Sequence, residues 1–337
     1  METRNREIKE KHINDVQTST VDEHYELLLK EKNLIDPKLI NVTPADLPHW
    51  YNEKLFKEAQ NYYKRNVLAL VMSSFLGLFA IISIPDILRV LAYTKKSNIS
   101  YIVSNRYVQT LFRIHNLYIC DPNFDSNWCK VINMIRGQHT VNNKKSLKAN
   151  IGGIYQRDMA LTQFVFVGYV LTTPKSIGLR NTLEEEEAFI HLWRVVGYML
   201  GIPDRLNICR KTVEETRKLC QKISNGILAN YLNEAPPDFY SMISSILQEI
   251  WYIDLTLDKD ALLTFIYRLH GIKYNVPLKW YSWLSMKKRD LIFYLYLVPY
   301  VGTIMRMYQN YMFMLTLWIL QGWSKFADII WKRKLTN

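Results

Sequence analysis

The chain has 337 residues, enough for one large domain or two ordinary ones, and its 49% apolar and 22% charged content excludes a disordered chain. Lysine and arginine outnumber the acids to a formal charge of +12, but they are dispersed and accompany no RNP, zinc-finger or basic-zipper pattern, which argues against a nucleic-acid partner. Attraction to anionic lipid surfaces accounts for the same charge.

The first residues, "METRNREIKEKHIND", are polar and lack an apolar h-region, so no cleaved signal peptide is expected. Residues 1–44 read as a polar tail, with a helix around "EHYELLLKEKNLI". Order is expected from "LPHWYNEKLFKEAQNYYKRN", where Trp50, Leu55, Ala59 and Tyr62 recur at helical spacing. Residues 67–84, "VLALVMSSFLGLFAIISI", carry no charge. Their length is at the margin of a membrane span; the preferred reading is a fully buried helix, with Ser73, Ser74 and Gly77 allowing close packing.

A run of amphipathic helices follows. "NWCKVINMIRGQHTV" sets Trp128, Val131, Ile132, Ile135 and His139 on one stripe. "RDMALTQFVFVGYVLTTP" reads as one helix from a cap at Asp158 to the residue before Pro174, with Asp158 and Thr162 as capping and packing residues. In "NTLEEEEAFIHLWRVVGYMLGIP", Thr182 and Glu185 form a capping box. Phe189, Trp193, Val196 and Leu200 make that helix's buried stripe, and Gly201 with Pro203 ends it. Cys120, Cys129, Cys209 and Cys220 lack CxxC spacing and read as reduced thiols rather than a disulfide or zinc framework. No convincing period-2 run appears, so the fold class is all-α: a single large helical domain over 45–285, followed by apolar helices over 286–337.

Those last helices are aromatic-rich, and Arg306 is the only charge between Asp290 and Lys325. One reading is a hairpin in or on a bilayer, with Trp331 and the basic "WKRKLTN" at the headgroups. The other is a pair of core helices. Gln309, Asn310 and Gln321, which interrupt the apolarity, weigh against a membrane.

Chemistry centres on His139. On an apolar stripe it is either a core histidine bonded to a carbonyl or a metal ligand. Gly137 beside it weakens the helix by about 1 kcal/mol relative to Ala, which suits the close approach of a flat cofactor or another helix. Upstream, in "SNRYVQTLFRIHN", Val103, Tyr107, Leu111 and Ile114 form an apolar stripe, while Arg106, Gln109, Thr110 and Arg113 share the other face. That polar face is either a solvated surface or a set of groups that polarise bound dioxygen or, through Arg106, hold a cofactor propionate. His191 reads as structural and His115 as off the polar face, and His12, His24, His49 and His270 form no ligand cluster.

The ordered succession "HWYNEKLFKEAQNYYKRN", "RYVQT", "MIRGQHT", "YQRDMALTQF" and "EEEEAFIHLWRVVGYMLGIPD" resembles the rubber oxygenase (latex-clearing protein) catalytic domain, which the endoplasmic-reticulum-bound oxygenase of mycophenolic acid biosynthesis shares. The resemblance covers roughly residues 45–210 and is most specific in "HLWRVVGYMLGIP". It implies an all-α fold with some likeness to globins, a b-type haem, and use of dioxygen to cleave carbon–carbon double bonds of isoprenoid chains to carbonyl products. The family's "vR..H" pattern falls on "IRGQH", so His139 would be the proximal iron ligand. Its "R..KT" pattern falls on "RYVQT", matching Arg106 and Thr110, with Gln109 at the lysine position. Glutamine is a poor iron ligand but can still donate a hydrogen bond. The family's base should fall near Asp86 and Arg89, neither of which is assigned to it. The resulting expectation is a haem oxygenase acting on a hydrophobic unsaturated substrate at an intracellular membrane, on the cytosolic face of the endoplasmic reticulum, with the cytoplasm as the alternative location. The rival readings are a non-catalytic haem- or lipid-binding paralogue and a structural membrane protein without a cofactor.

Overall fold

A computed structural model describes residues 16–36, 41–96, 106–123, 126–251, 254 and 256–335, with side chains to Gly322. Val103 and the Trp331 side chain lie outside the described residues. Helices α1 (Val21–Lys30), α2 (Glu53–Arg65), α3 (Val67–Ile82), α4 (Pro85–Lys96), α5 (Arg106–Ile119), α6 (Ser126–Lys148), α7 (Gln156–Thr162), α8 (Phe164–Thr172) and α9 (Leu183–Met199) make the first part of the chain. They are followed by α10 (Val213–Lys222), α11 (Ala229–Asn233), α12 (Pro237–Ile250), α13 (Lys259–Leu269), α14 (Trp280–Tyr296) and α15 (Val301–Leu335). The fold is all-α; among the described residues the extended pairing is confined to an isolated antiparallel bridge between Leu34 and Tyr155.

Two helix pairs form the centre, α3 along α8 and α2 along α9. The uncharged segment after Lys64 and Arg65 is the core helix the composition favours: Leu76, Phe79, Ala80 and Ile82 of α3 are fully buried. Gly77 makes its contact with α8 close, because a Cβ built there would lie 2.7 Å from the Val165 Cα. The aromatic content is spent partly on this core. Tyr63 stacks on Tyr118 at 4.0 Å, Phe166 stacks on Trp193 at 3.9 Å, and the Trp193 indole donates to the Tyr118 hydroxyl at 2.9 Å. At the start of α9 the Thr182–Glu185 capping box is present in both directions, and Gly201 closes the helix end at φ +87°.

Four expectations need correction. Trp50 precedes α2 rather than opening it, and packs edge-on against His191 and Tyr198. The "RDMALTQF" segment is two helices, parted at Gln163, whose amide is drawn sideways to Trp193 O, Asn207 Oδ1 and Ile208 N. Asp158 is the third residue of α7, not its cap. Part of the polar N-terminal segment is packed rather than free: the fully buried Arg210 donates to His24 Nδ1 and Thr18 O, both at 2.9 Å, holding α1 and its lead-in against the domain.

Candidate functional site

α5 and α6 form an antiparallel pair, and two contacts set their register. The Trp128 indole donates to Leu117 O at 3.1 Å near the connecting turn, and Arg113 Nη1 donates to Gln138 Oε1 at 2.6 Å farther along. At equal rise per residue this register brings positions 109 and 110 level with position 139. The buried face of α5 runs through Val108, His115 and Tyr118, one step round from the stripe expected through Tyr107, Leu111 and Ile114, which are half-buried. His115 is therefore interior, bonded through Nδ1 to the Tyr63 hydroxyl at 2.8 Å. The polar face is turned toward α6 at Arg113; Gln109 is half-buried and Thr110 exposed. Arg106 is the first residue of α5, and its side chain lies outside the described residues.

His139 projects inward from α6. Its Nδ1 is covered from solvent and has no hydrogen-bond partner. Burial pushes the imidazole down to about 4, so it is neutral at pH 7. The other buried histidines are tied at the ring. His24 meets Arg210, His191 Nε2 accepts from the Asn52 amide at 3.0 Å, and His270 bridges the Tyr169 hydroxyl at 2.8 Å and Ser224 Oγ at 2.9 Å. His139 is thus not the carbonyl-bonded core histidine that its position on an apolar stripe suggests, and its lone pair is free for a ligand.

The imidazole lines a cavity of about 50 Å³ together with Arg136, Thr140, Gln156, Met159 and Gly201. Arg136 is anchored there by donating to Met199 O at 2.9 Å, which caps the C-terminus of α9. Gly201 leaves room for that guanidinium, since an added Cβ would stand 3.1 Å from Arg136 Nη1. Sequence reasoning missed Arg136 and Gln156, although Arg136 lies one turn before His139 in the quoted "IRGQH". Gln156 Oε1 and Arg136 Nε are also buried without partners, so the cavity wall is polar and unsatisfied at three residues.

Of the expected dioxygen-side residues, Gln109 and Thr110 do not line this cavity. At Gly137 no described neighbour makes the close approach inferred from its cost, because an added Cβ meets nothing within 4 Å. Asp86 accepts from Arg157 at 2.8 Å and pairs with Arg89, so it is neutralised by two guanidinium groups.

The donor chemistry at His139 fits an iron ligand: a neutral, desolvated, unbonded imidazole on an apolar helix face. The enclosure does not fit in this arrangement. About 50 Å³ holds one or two waters, whereas pockets for ligands of cofactor size run to several hundred Å³. No group of three or more His, Cys, Asp or Glu side chains suited to a metal occurs among the described residues.

The helical order and packing define an all-α fold class. A solved structure with this arrangement is latex clearing protein LCP in its closed state, at a TM-score of 0.54 and 16% sequence identity over 88% of this chain and 85% of that one. No protein-family model and no curated protein matches the sequence.

Proposed function

We propose that the chain is an oxygenase-type haem protein that acts with dioxygen on a hydrophobic unsaturated substrate of isoprenoid or lipid character, by oxidative cleavage of a carbon–carbon double bond. The observation that carries the reading is the unpartnered, neutral imidazole of His139 in the "IRGQH" pattern of α6. A haem b held by His139 would supply the dioxygen chemistry. The chain's own residues position and exclude. Arg136 fixes the end of α9 beside His139 and shares the wall with the carboxylate of Asp36, while Met159 and Leu200 contribute apolar surface that keeps bulk water away. Arg106, Gln109 and Thr110 on α5 are assigned to the dioxygen side, with Gln109 donating a hydrogen bond and not binding metal.

The small cavity means that a macrocycle enters only if the elements around His139 part. That observation, with glutamine at the family's lysine position, favours a second reading in which the same fold binds haem or lipid without turnover.

The test is an absorption spectrum of the purified protein after haem reconstitution. A Soret band that is lost in His139→Ala, with far-ultraviolet circular dichroism unchanged, supports haem ligation. A haem-replete preparation with no band, or a band indifferent to His139→Ala, removes the reading. Carbonyl products from an unsaturated isoprenoid under oxygen then separate an enzyme from a binder.

A further inference from the structure

α14 and α15 leave a long apolar stripe on the side turned away from the domain, where a helix on a watered surface shows polar side chains. On the covered side Met286, Phe293, Tyr296 and Leu317 are buried together with polar residues. On α15 the inward positions include Gln309, which accepts from the Tyr296 hydroxyl, and Asn310, which accepts from the Leu68 amide at 3.1 Å and donates to Arg65 O at 2.9 Å. The outward positions are Val301, Ile304, Tyr308, Tyr311 and Trp318, spaced by three, four and seven; Ile304 is 69% and Trp318 71% exposed. α14 repeats the pattern. Ser282, Ser285, Met286, Arg289, Phe293 and Tyr296 are buried, while Trp280, Leu284, Leu291 and Tyr294 are exposed, Trp280 by 77%. More than half of the large apolar side chains exposed among the described residues lie between 280 and 319, a concentration of the kind that marks an interaction site.

We propose that the α14–α15 hairpin docks the protein in the plane of an anionic lipid bilayer, entering one leaflet at headgroup level. The side-chain chemistry matches that depth, because Trp and Tyr concentrate where one end of a ring is apolar and the other wet. The charge matches as well. Lys279, Lys287 and Lys288 are exposed on and beside α14, Lys332, Arg333 and Lys334 follow in the sequence of α15, and no acid occurs between Asp290 and Asp328. The same lysines and the +12 net charge disfavour a second copy of the chain as the occupant.

Geometry selects in-plane docking over spanning. The outward stripe from Tyr300 to Ile319 is roughly 30 Å long at helical rise, but it covers one side only. The other side is fastened to the α2–α3 junction and to α14, and a spanning helix must meet lipid all round. No single helix among the described residues is long and apolar enough to cross a membrane, and α14 and α15 bend by 119°. The inference stands on this packing and not on haem, so it and the proposed function fail separately.

The experiment mixes the full chain with vesicles of phosphatidylcholine, alone or with phosphatidylserine, and measures co-sedimentation and tryptophan emission. Binding that is stronger on the anionic vesicles, with a blue shift and release by alkaline carbonate, is expected. The combined variant Ile304→Ser, Tyr311→Ser, Trp318→Ser should weaken partitioning on the order of tenfold or more with its melting curve unchanged. Val141→Ser, exposed on α6 and outside the hairpin, should bind as the parent does. The proposal is overturned if the parent stays in the supernatant, if the triple variant partitions equally, or if carbonate leaves the protein in the membrane as a spanning segment. It is equally overturned if the face proves to be a dimer interface, with a vesicle-free dimer that the triple variant splits.

Discussion

Gly77 sits where the backbones of α3 and α8 touch, and the consequence has a sign that can be checked. In an exposed helix, Gly to Ala gains about 1 kcal/mol of helix propensity. At Gly77 the new Cβ would stand 2.7 Å from Val165 Cα and 2.8 Å from Val165 O, and neither backbone atom can rotate aside. Overpacking of that kind costs about 1–3 kcal/mol, so it outweighs the propensity gain. Gly77→Ala should lower the urea midpoint; a midpoint equal to or above the parent's would place the two helices farther apart than the structure has them. His139 is the opposite case, a residue whose environment leaves it available. Its chemical type and its place in "IRGQH" are visible in the sequence, but its lack of a partner is a property of everything packed around it. Arg136 was one turn away and still escaped notice, because its partner, Met199 O, is 63 residues distant.

Asn310 decides the behaviour of α15 as an element. α2 and α3 meet at a bend of 93°, which leaves the last carbonyls of one and the first amides of the other unpaired within their helices. The Asn310 amide reaches across 242 residues and serves both, at Leu68 N and Arg65 O. Asn310→Ala should cost about 1–2 kcal/mol, from two lost bonds and a partly covered amide left unmet. Thermal unfolding and protease cleavage near Asn66 would register it; an unchanged melting temperature would mean that water replaces the asparagine at no cost. On composition alone Gln309 and Asn310 counted against a membrane. In the structure Gln309 and Asn310 face the protein, so the outer stripe runs uninterrupted to Ile319, and Gln321 beyond it is exposed. The element-scale features read correctly from sequence are the local ones, such as the capping box at Thr182 and the stop at Gly201, because their partners lie within one turn. The break at Gln163 was hidden because its amide bonds a loop more than forty residues on.

Across the molecule, His24, His139, His191 and His270 are each pushed down to about 4 chiefly by burial. The unfolded chain binds protons at these sites near pH 6.5 while the folded chain does not, so stability rises with pH between about 4 and 6.5. Acidification should therefore destabilise the protein through that window, by up to about 1.4 kcal/mol per pH unit for each histidine. Urea midpoints at pH 7 and pH 5 test this. An unchanged midpoint would show that these rings are hydrated or already charged in the fold. The aromatic content also divides at this scale, one share buried around Tyr118 and Trp193 and another displayed on α14 and α15.

The sequence by itself determined the helical class, the ends of the better-marked helices, the uncharged core segment and the histidine worth watching, because periodicity, caps and motifs are written within a few consecutive residues. Tertiary structure decided which side of each stripe is covered, that His139 has no partner, that its cavity is small, and that Gln309 and Asn310 of α15 face inward. Periodicity reports that a helix has two faces; only the neighbours that fill one of them settle which face meets water, lipid or ligand.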